Sequence, residues 1–328
     1  MIDARLFDLV ADEAAKVAAL AGALGGNMDI DLPMLFQRDI ALQPPGLWSP
    51  NRHCRLVEAA DGWLAVNMAR EDDLACIPAW LECEIAGDPW RSIIGGAKKQ
   101  TAVRLRDRAV LLGLPVSIVG EAQAASPPVL ARAVREDRRL RVVDLSALWA
   151  GPLCGALLAQ AGMDVTRIES PSRPDPTAIS TPQHSARLNG SKRRIDMDLH
   201  SPRLLQEIAA ADVLITSARS PALARLGISL ERLSTLNPGL IWVAITGHGF
   251  AGADAMRVGF GDDTAAAGGL VAWSDGVPRF IGDALADPLT GLRAAHLALQ
   301  AVVRAQSGLI DVALAPTAAC FAQRAGLA

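Results

Sequence analysis

Tyrosine is absent from this chain of 328 residues, and aromatic residues make up only 4% of it. The absence of Tyr removes one common general acid from any enzymatic mechanism. The five cysteines are scattered and form no C-x-x-C pair, which excludes a zinc ribbon and gives no support for a disulfide framework. Unpaired cysteines are typical of a reducing compartment, so a cytoplasmic location is predicted.

An excess of charge of one sign is also missing, because the formal net charge is -3 and no long run of either sign occurs. A surface for nucleic acid or an anionic membrane is therefore not expected. No apolar run is long enough to cross a membrane, and the polar N-terminus is unlike a signal peptide. The sequence predicts no nucleic-acid partner and no membrane partner.

What the chain has is apolar content, with 51% hydrophobic residues against 20% charged residues. This balance argues against disorder and provides for a large buried core. For 328 residues, two domains of ordinary size are the natural expectation.

Residues 139–247 alternate between short apolar runs and helical patterns. Such alternation is typical of β-α-β units with right-handed crossovers and a parallel sheet. Strands are predicted at 140–145, 165–168, 194–199, 213–215 and 240–246. A helix–strand–helix over 287–321 would complete a Rossmann-like domain in residues 128–328.

Residues 1–127 follow a different pattern. The predicted features are an Ala-rich helix near 11–24, a Pro-broken loop at 42–46, a hairpin at 54–66 and helical patterns at 74–84 and 102–112. The stretch AQAASPP, residues 122–128, is typical of a linker. The predicted fold class is therefore α/β, with a Rossmann-like parallel sheet domain and a second, smaller α+β domain in residues 1–127.

Residues 247–252 (GHGFAG) fit the dinucleotide fingerprint G-x-G-x-x-G and follow a predicted strand. A true fingerprint opens directly into an apolar helix, with an acidic residue about 20 positions later. Here residues 253–263 are polar and Gly-rich, which does not support an NAD or FAD site. A glycine-rich turn in an active-site loop is the better interpretation.

Asp287 stands in the string GDALADPLTG, residues 282–291, at the start of a long apolar helical pattern. A carboxylate there lies at the positive end of a helix dipole, which favours the ionised form, and an ionised carboxylate can act as a nucleophile. An Asp before a Pro is also a common helix N-cap. The local sequence leaves both roles open.

Five segments follow one another in an order and spacing typical of one enzyme family. They are residues 142–152 (VVDLSALWAGP), 161–169 (AGMDVTRIE), 188–199 (LNGSKRRIDMDL), 211–227 (ADVLITSARSPALARLG) and 237–249 (NPGLIWVAITGHG). Together they resemble the class III CoA-transferase family, which includes formyl-CoA and carnitine CoA-transferases and α-methylacyl-CoA racemase. Each motif alone is weak, but the ordered set is specific.

The resemblance implies transfer of coenzyme A between an acyl-CoA and a small carboxylic acid. Asp287 falls on the family's nucleophilic Asp, with Gly291 as the Gly of its D-x-x-x-G string. An aspartyl anhydride and an aspartyl thioester on Asp287 are implied as intermediates, with no metal and no permanently bound cofactor. The positions matched to CoA binding are Trp149, Ala150, Leu188, Lys192, Ser217, Ala218, Arg219, Arg225 and Phe260. Family members form interlocked dimers, so a homodimer is expected.

Several positions depart from the family pattern. The racemase branch has a His where Phe260 stands, and Phe cannot take up a proton, which disfavours racemisation. Phe260 is then either a wall of the acyl or pantetheine pocket or a residue of the core. Ser217 and Ala218 replace the usual Asn-Phe, and Trp149 replaces a common Gln.

The order of the parts also differs from the family. Residues 55–66 and 111–117 resemble strings of the family's small domain, yet they precede the Rossmann-like half. This order predicts a circular permutation or a fragment of a tandem arrangement, and termini that lie close together would tolerate it.

Two alternatives to CoA transfer stay open. The first is an acyl-CoA racemase or epimerase that pairs Asp287 with another base, such as His248 or Asp262. The second is a non-catalytic acyl-CoA binding protein in which Asp287 only caps a helix.

Overall fold

A computed structural model describes residues 3–84, 87–126, 128–134 and 138–327. The helices are α1 Ala4–Ala23, α2 Leu32–Leu35, α3 Glu71–Ala75, α4 Ile77–Leu81, α5 Pro89–Ala97, α6 Ala102–Leu112, α7 Ala150–Gln160, α8 Thr177–Ser180, α9 Pro182–Asn189, α10 Pro202–Ala209, α11 Ser220–Arg225, α12 Leu230–Leu236, α13 Gly261–Ala267, α14 Ala286–Val303 and α15 Leu314–Ala325, with a 3₁₀ turn at Gly252–Met256. The strands are β1 Cys54–Glu58, β2 Trp63–Asn67, β3 Val116–Ile118, β4 Ala131–Arg132, β5 Arg141–Leu145, β6 Asp164–Glu169, β7 Arg193–Asp196, β8 Val213–Thr216, β9 Ile241–Thr246, β10 Val271–Ser274, β11 Val277–Phe280 and β12 Gln306–Ala313.

The largest sheet of the described residues has seven strands in the order β4-β12-β9-β8-β5-β6-β7. β4 runs antiparallel to β12, and all other neighbours are parallel. β9 (IWVAIT) is buried along its whole length, as expected for a parallel strand covered on both faces. The predicted α/β class with a parallel Rossmann-like sheet is confirmed.

The direction in which the sheet grows reverses between β5 and β8. β6 and β7 extend the sheet on one side of β5, whereas β8, β9 and β12 extend it on the other. In open parallel sheets, ligands bind outside the carboxyl ends of the strands at such a switch point. Residues 146–149 after β5 and residues 217–219 after β8 therefore flank the expected crevice.

The first part of the chain forms a three-stranded antiparallel sheet, β1-β2-β3. The predicted hairpin is confirmed, since Glu58 pairs with Trp63 across its turn. Side chains of α4, α5 and α6 pack on one face of this sheet. In that core Trp80 is fully buried, and its indole N–H donates to the carbonyl of Leu105 at 2.8 Å.

The other face of the small sheet packs on the second part of the chain. Cys54, Leu56 and Ala65 share a hydrophobic cluster with Ala266 of α13 and Phe280 of β11. This packing carries the polar residues around β1 and β2 towards the turn that precedes α14.

α1 packs on the helices of the large sheet. Its N-cap is Asp3, whose carboxylate accepts from the backbone N–H groups of Arg5 and Leu6 at 2.9 and 3.2 Å, so the helix begins at Ala4, earlier than predicted. Its apolar face belongs to the same core cluster as α14 and α15. The division of domains at residue 127 stays a prediction, but by its packing α1 joins the core of the larger part.

The sequence patterns missed α2, α5, α8, α9, α13, β3, β4 and the hairpin β10–β11. The third predicted strand, at 194–199, is shorter in the structure, because the chain turns at Asp198. The Asp198 carboxylate accepts from the His200 N–H at 3.0 Å, and its carbonyl accepts from the Ser201 N–H at 2.9 Å. β9 is followed by the 3₁₀ turn, so the helix that a dinucleotide fingerprint requires does not follow it directly. Nowhere in the described ranges is there a helix with the length and apolar character needed to cross a bilayer.

Candidate active site

Asp287 lies in the first turn of α14 and is not its N-cap. The helix begins at Ala286, and Leu285 occupies the N-cap position without a side-chain hydrogen bond. The capping role that the sequence left open is therefore wrong. The Asp287 carboxylate lies against Gly261 instead, where an added Cβ would come within 2.2 Å of Oδ2. Gly261 thus permits the close approach of this carboxylate to the start of α13.

Two further carboxyl groups, those of Asp262 and Asp283, lie beside Asp287. Asn51 bridges them, because its Nδ2 donates to Oδ2 of Asp262 and to Oδ1 of Asp283, each at 2.7 Å. The other oxygen of Asp262 accepts from the backbone N–H of Ala284 at 2.7 Å. Ala284 has a φ of +44°, which is uncommon outside glycine and marks strain held by its surroundings.

Arg38 supplies positive charge to this cluster. Its Nε and one terminal nitrogen donate to the two oxygens of Asp283 at 2.8 and 2.7 Å, the paired geometry that guanidinium and carboxylate favour. The guanidinium also lies 5.1 Å from the centroid of the Trp149 ring, within cation–π range. Arg38 therefore connects the turn before α14 with the end of β5.

The pKa values of two carboxyl groups in this cluster are raised towards neutral pH. The pKa of Asp287 is raised to about 7 by burial and by Asp262 and Asp283, while Arg38 and the Gly261 N–H oppose the increase. The pKa of Asp262 is raised to about 6 by burial and by Asp283. The expectation that the helix dipole keeps Asp287 easily ionised is wrong, because desolvation and like charges outweigh the dipole. Perturbed carboxyl groups of this kind are typical of functional sites.

The carboxyl ends of β5 and β8 meet, as the sheet order requires. The backbone N–H of Ala147 donates to Oγ of Ser217 at 2.9 Å, and the N–H of Leu148 donates to the Asp175 carboxylate at 3.0 Å. Leu148 has a φ of +69°, and the residue is 36% exposed. A strained backbone with an exposed apolar side chain at a switch point is typical of a ligand contact.

Four of the residues predicted to bind CoA are buried, namely Trp149, Ala150, Leu188 and Lys192. Trp149 and Leu188 line a pocket of about 200 Å³ together with apolar side chains of α7 and with His184, whose ring packs edge-to-face on Trp149 at 4.7 Å. The carbonyl of Ala150 lies where a Cβ added to Gly291 would come within 2.7 Å. Gly291 therefore lets α14 approach α7 closely.

Lys192 is committed to a buried ion pair. Its Nζ donates to Asp144 at 2.7 Å, to the carbonyl of Pro152 at 2.8 Å and to Asn189 at 2.9 Å. The side chains of Lys192 and Asp144 are both 0% exposed. Because an ammonium group has only three donors, the predicted contact of Lys192 with CoA does not fit this geometry.

The remaining predicted residues lie in three places: after β8, at the end of α11 and at the start of α13. Ser217 and Ala218 are partly buried at the end of β8, and Arg219 is exposed beside them and donates to the carbonyl of Met256 at 2.9 Å. Arg225 is exposed at the end of α11. Phe260 is the N-cap of α13, directly before Gly261, and is therefore near Asp287.

Sequence reasoning assigned no role to Arg38, Asn51 or Asp283. The hydrogen bonds that join Asp283 to Arg38 and Asn51 span 245 and 232 positions, and no spacing pattern relates residues so far apart. Asp283 carries a signal only through its place in the string that leads to Asp287. Arg38 and Asn51 carry none.

Comparison with known proteins adds a family to this geometry. The profile described as CoA-transferase family III matches residues 138–326. Succinyl-CoA–D-citramalate CoA-transferase of Chloroflexus aurantiacus is 33% identical over 51% of this chain and 45% of its own length. Succinate–glutarate CoA-transferase of Agrobacterium fabrum is 32% identical over 53% of this chain and 50% of its own length. The chain spans about half the length of the curated relatives that it matches.

Solved structures agree with this assignment. A CAIB/BAIF family protein from Brucella suis superposes with a TM-score of 0.50 at 30% identity, over 56% of this chain and 54% of its own. A hypothetical protein from Mycobacterium tuberculosis gives a TM-score of 0.52 at 25% identity, over 60% of this chain and 58% of its own. The profile match covers more than half of the 328 residues and includes the five motifs. The chain therefore belongs to CoA-transferase family III.

Proposed function

We propose that the protein transfers coenzyme A between an acyl-CoA thioester and a carboxylic acid, with Asp287 as the covalent nucleophile. The observation that carries this proposal is the placement of the Asp287 carboxylate against Gly261, with a pKa raised to about 7. A carboxylate of this pKa is more basic than an ordinary one and is still partly ionised at neutral pH. That combination suits a nucleophile that must also be displaced later.

The reaction proceeds by paired bond exchanges. An oxygen of Asp287 attacks the thioester carbonyl carbon and the C–S bond breaks. CoA leaves as a thiolate, and a mixed anhydride of the donor acid and Asp287 remains. The thiolate then attacks the Asp287 carbonyl carbon, which releases the donor acid as a carboxylate and leaves an aspartyl-CoA thioester. The acceptor carboxylate attacks the aspartyl carbonyl carbon of that thioester, the C–S bond breaks, and CoA thiolate is released from a new mixed anhydride. The thiolate then attacks the acceptor's carbonyl carbon in this anhydride, which forms the new acyl-CoA and releases Asp287 as a carboxylate. No net proton is gained or lost, and no metal is required.

The crevice at the ends of β5 and β8 is the proposed CoA site. Leu148, Ser217 and Ala218 line it, and the exposed cations Arg219 and Arg225 are available to the CoA phosphates. Lys192 is left out, because the Asp144 carboxylate and two other oxygens occupy its donors. Its role in this proposal is to hold the β5 end in place.

Exchange of a labelled acid into its CoA ester tests the proposed activity. The protein is incubated with acyl-CoA esters and labelled short mono- and dicarboxylic acids, and transfer of label into the thioester is followed. Wild-type protein is expected to exchange at least one acid, and Asp287→Asn is expected to exchange none. Exchange at the wild-type rate by Asp287→Asn would contradict the assignment.

The structure favours neither alternative function. His248 is buried beside Oγ of Ser117 at 3.4 Å, and its pKa is lowered to about 3, chiefly by burial. Asp262 already accepts hydrogen bonds from Asn51 and Ala284. Deuterium wash-in at the α-carbon of a 2-methylacyl-CoA would nevertheless identify a racemase, and its absence alongside CoA exchange is the expected result.

We further propose a homodimer located in the cytoplasm. All five cysteines lie in the described ranges and are free, and Cys83 is exposed, as suits a reducing compartment. Stable dimers of this kind commonly bury more than about 2,000 Å². Light scattering at low micromolar concentration is the test, and an active monomer of 34.4 kDa would contradict the dimer.

A further inference from the structure

Arg38 holds its guanidinium in a fixed orientation with one edge unused. Asp283, whose side chain is 4% exposed, engages Nε and one terminal nitrogen. Trp149 covers the guanidinium at 5.1 Å. A guanidinium carries five N–H donors, and within the described ranges no acceptor pairs with the other terminal nitrogen. With its side chain 19% exposed, Arg38 can meet a small solute.

The segment that carries Arg38 is anchored independently of it. The carboxylate of Asp39 accepts from the backbone N–H groups of Gln183 and His184 at 2.9 Å each. Asp39, and not Arg38, therefore attaches this segment to α9. The charge of Arg38 lies instead at the turn that precedes α14.

The proposed reaction requires this site to bind a second anion, which its carboxyl groups cannot attract. An acceptor acid must approach Asp287 as an anion, although Asp262 and Asp283 already lie there. Neighbouring like charges repel strongly in a poorly solvated site. Arg70, which lies over Phe260, bonds to Asp73 and to the carbonyl of Gly113, and neither belongs to the cluster. Arg38, by contrast, bonds directly to Asp283 and opposes the rise in the pKa of Asp287.

We propose that Arg38 binds the carboxylate of the acceptor acid through its unused guanidinium edge, with Asp283 and Trp149 fixing the direction of that edge. This inference rests on the proposed function and names the group that recognises its second substrate. The donor acid, once released, occupies the same place. The substrate class is a small carboxylate.

Kinetics of Arg38→Gln and Arg38→Lys test this role. Arg38→Gln is expected to raise KM for the acid at least about 10-fold, as expected when a charge-assisted hydrogen bond is lost, while KM for the acyl-CoA changes little. Arg38→Lys is expected to recover part of the loss, because it keeps the charge without the fork. The matched control is Arg203→Gln, which removes an arginine that pairs with Glu207 on the surface of α10. Equal changes in both KM values would overturn the proposal.

A binding measurement tests carboxylate binding by Arg38 independently of the proposed function. Saturation-transfer NMR with succinate as the probe is applied to wild-type protein and to Arg38→Gln, with the melting temperature of each recorded. Loss of the succinate signal in a folded Arg38→Gln protein supports the carboxylate site even if no CoA exchange is found, in which case only the proposed function fails. Undiminished succinate binding in Arg38→Gln overturns the proposal even if CoA exchange proceeds.

Discussion

Two buried charged centres in this molecule are built in opposite ways. At the end of β5, Asp144 and Lys192 pair at 2.7 Å with both side chains 0% exposed. Lys192 has an oxygen for each of its donors, and Asp144 accepts in addition from the N–H of Ser146 at 2.9 Å. The charges balance, and each donor of the ammonium group is used.

At the start of α14, by contrast, the carboxyl groups of Asp262, Asp283 and Asp287 share one guanidinium, that of Arg38. Burial, together with the excess of negative charge, raises the pKa of Asp262 and Asp287. The difference between the two centres shows that burial of charge alone does not identify a reactive site. A satisfied pair positions the backbone, and an unbalanced cluster stays available for chemistry.

Asp287→Asn is expected to have the largest effect on activity, a loss of at least about 1,000-fold in turnover, as is typical for removal of a nucleophile. Stability should not fall. Because the pKa of Asp287 in the folded state, about 7, lies above the ordinary value of 3.8, its ionisation disfavours folding as pH rises between those values. The melting temperature of the variant should therefore exceed that of wild type at pH 8 and match it at pH 3.5. A lower melting temperature at pH 8 would show that Asp287 is structural.

Lys192→Met probes the balanced centre. Removing one partner leaves the buried Asp144 carboxylate without the ammonium group that pairs with it, which typically costs about 3–5 kcal/mol. Urea unfolding measures this loss, and the double variant with Asp144→Asn should recover part of it. A loss below about 1 kcal/mol, the usual value for an exposed pair, would mean that the pair is hydrated.

Gly261→Ala perturbs the unbalanced cluster at the start of α14. The added Cβ would come within 2.2 Å of Oδ2 of Asp287 and 2.7 Å of Ala284, so the carboxylate must move. A misplacement of about 1 Å can cost about 100-fold in rate, and that loss is expected in kcat. Gly95→Ala is the control, because a Cβ there meets nothing within 4 Å. Equal activity of the two variants would remove Gly261 from the site.

The pH dependence is the smallest of the expected effects. If ionised Asp287 is the nucleophile, kcat/KM should increase by about 10-fold between pH 6 and pH 8, as one group with a pKa near 7 titrates. Asp262→Asn removes a like charge that raises the pKa of Asp287, so the midpoint should move to lower pH. A pH profile that is flat in this range would contradict ionised Asp287 as the nucleophile. An upward move of the midpoint in Asp262→Asn would contradict the cause assigned to the raised pKa.

The fold was predictable where the signal is local. Strands such as β9 are short apolar runs because both faces of a parallel sheet are covered, and the motifs around them occur in family order. Helix α1 was placed too late in the chain because Asp3, its N-cap, precedes the Ala-rich pattern by several residues.

The site was predictable only in part. Asp287 could be chosen from its string, but its pKa depends on burial and on neighbours that the string does not show. A motif lysine has the same letter whether it meets a phosphate or, as Lys192 does, a buried carboxylate. Arg38 and Asn51 reach the cluster through the packing of the small sheet and its flanking segment, which no local pattern encodes.

Trapping of the covalent intermediate tests the central claim most directly. The protein is incubated with acyl-CoA and no acceptor acid, treated with hydroxylamine and digested, and the peptides are analysed by mass spectrometry. A hydroxamate on Asp287 is expected that requires acyl-CoA and is absent from Asp287→Asn. A protein that transfers CoA but yields a hydroxamate on another residue, or none at all, would contradict Asp287 as the nucleophile.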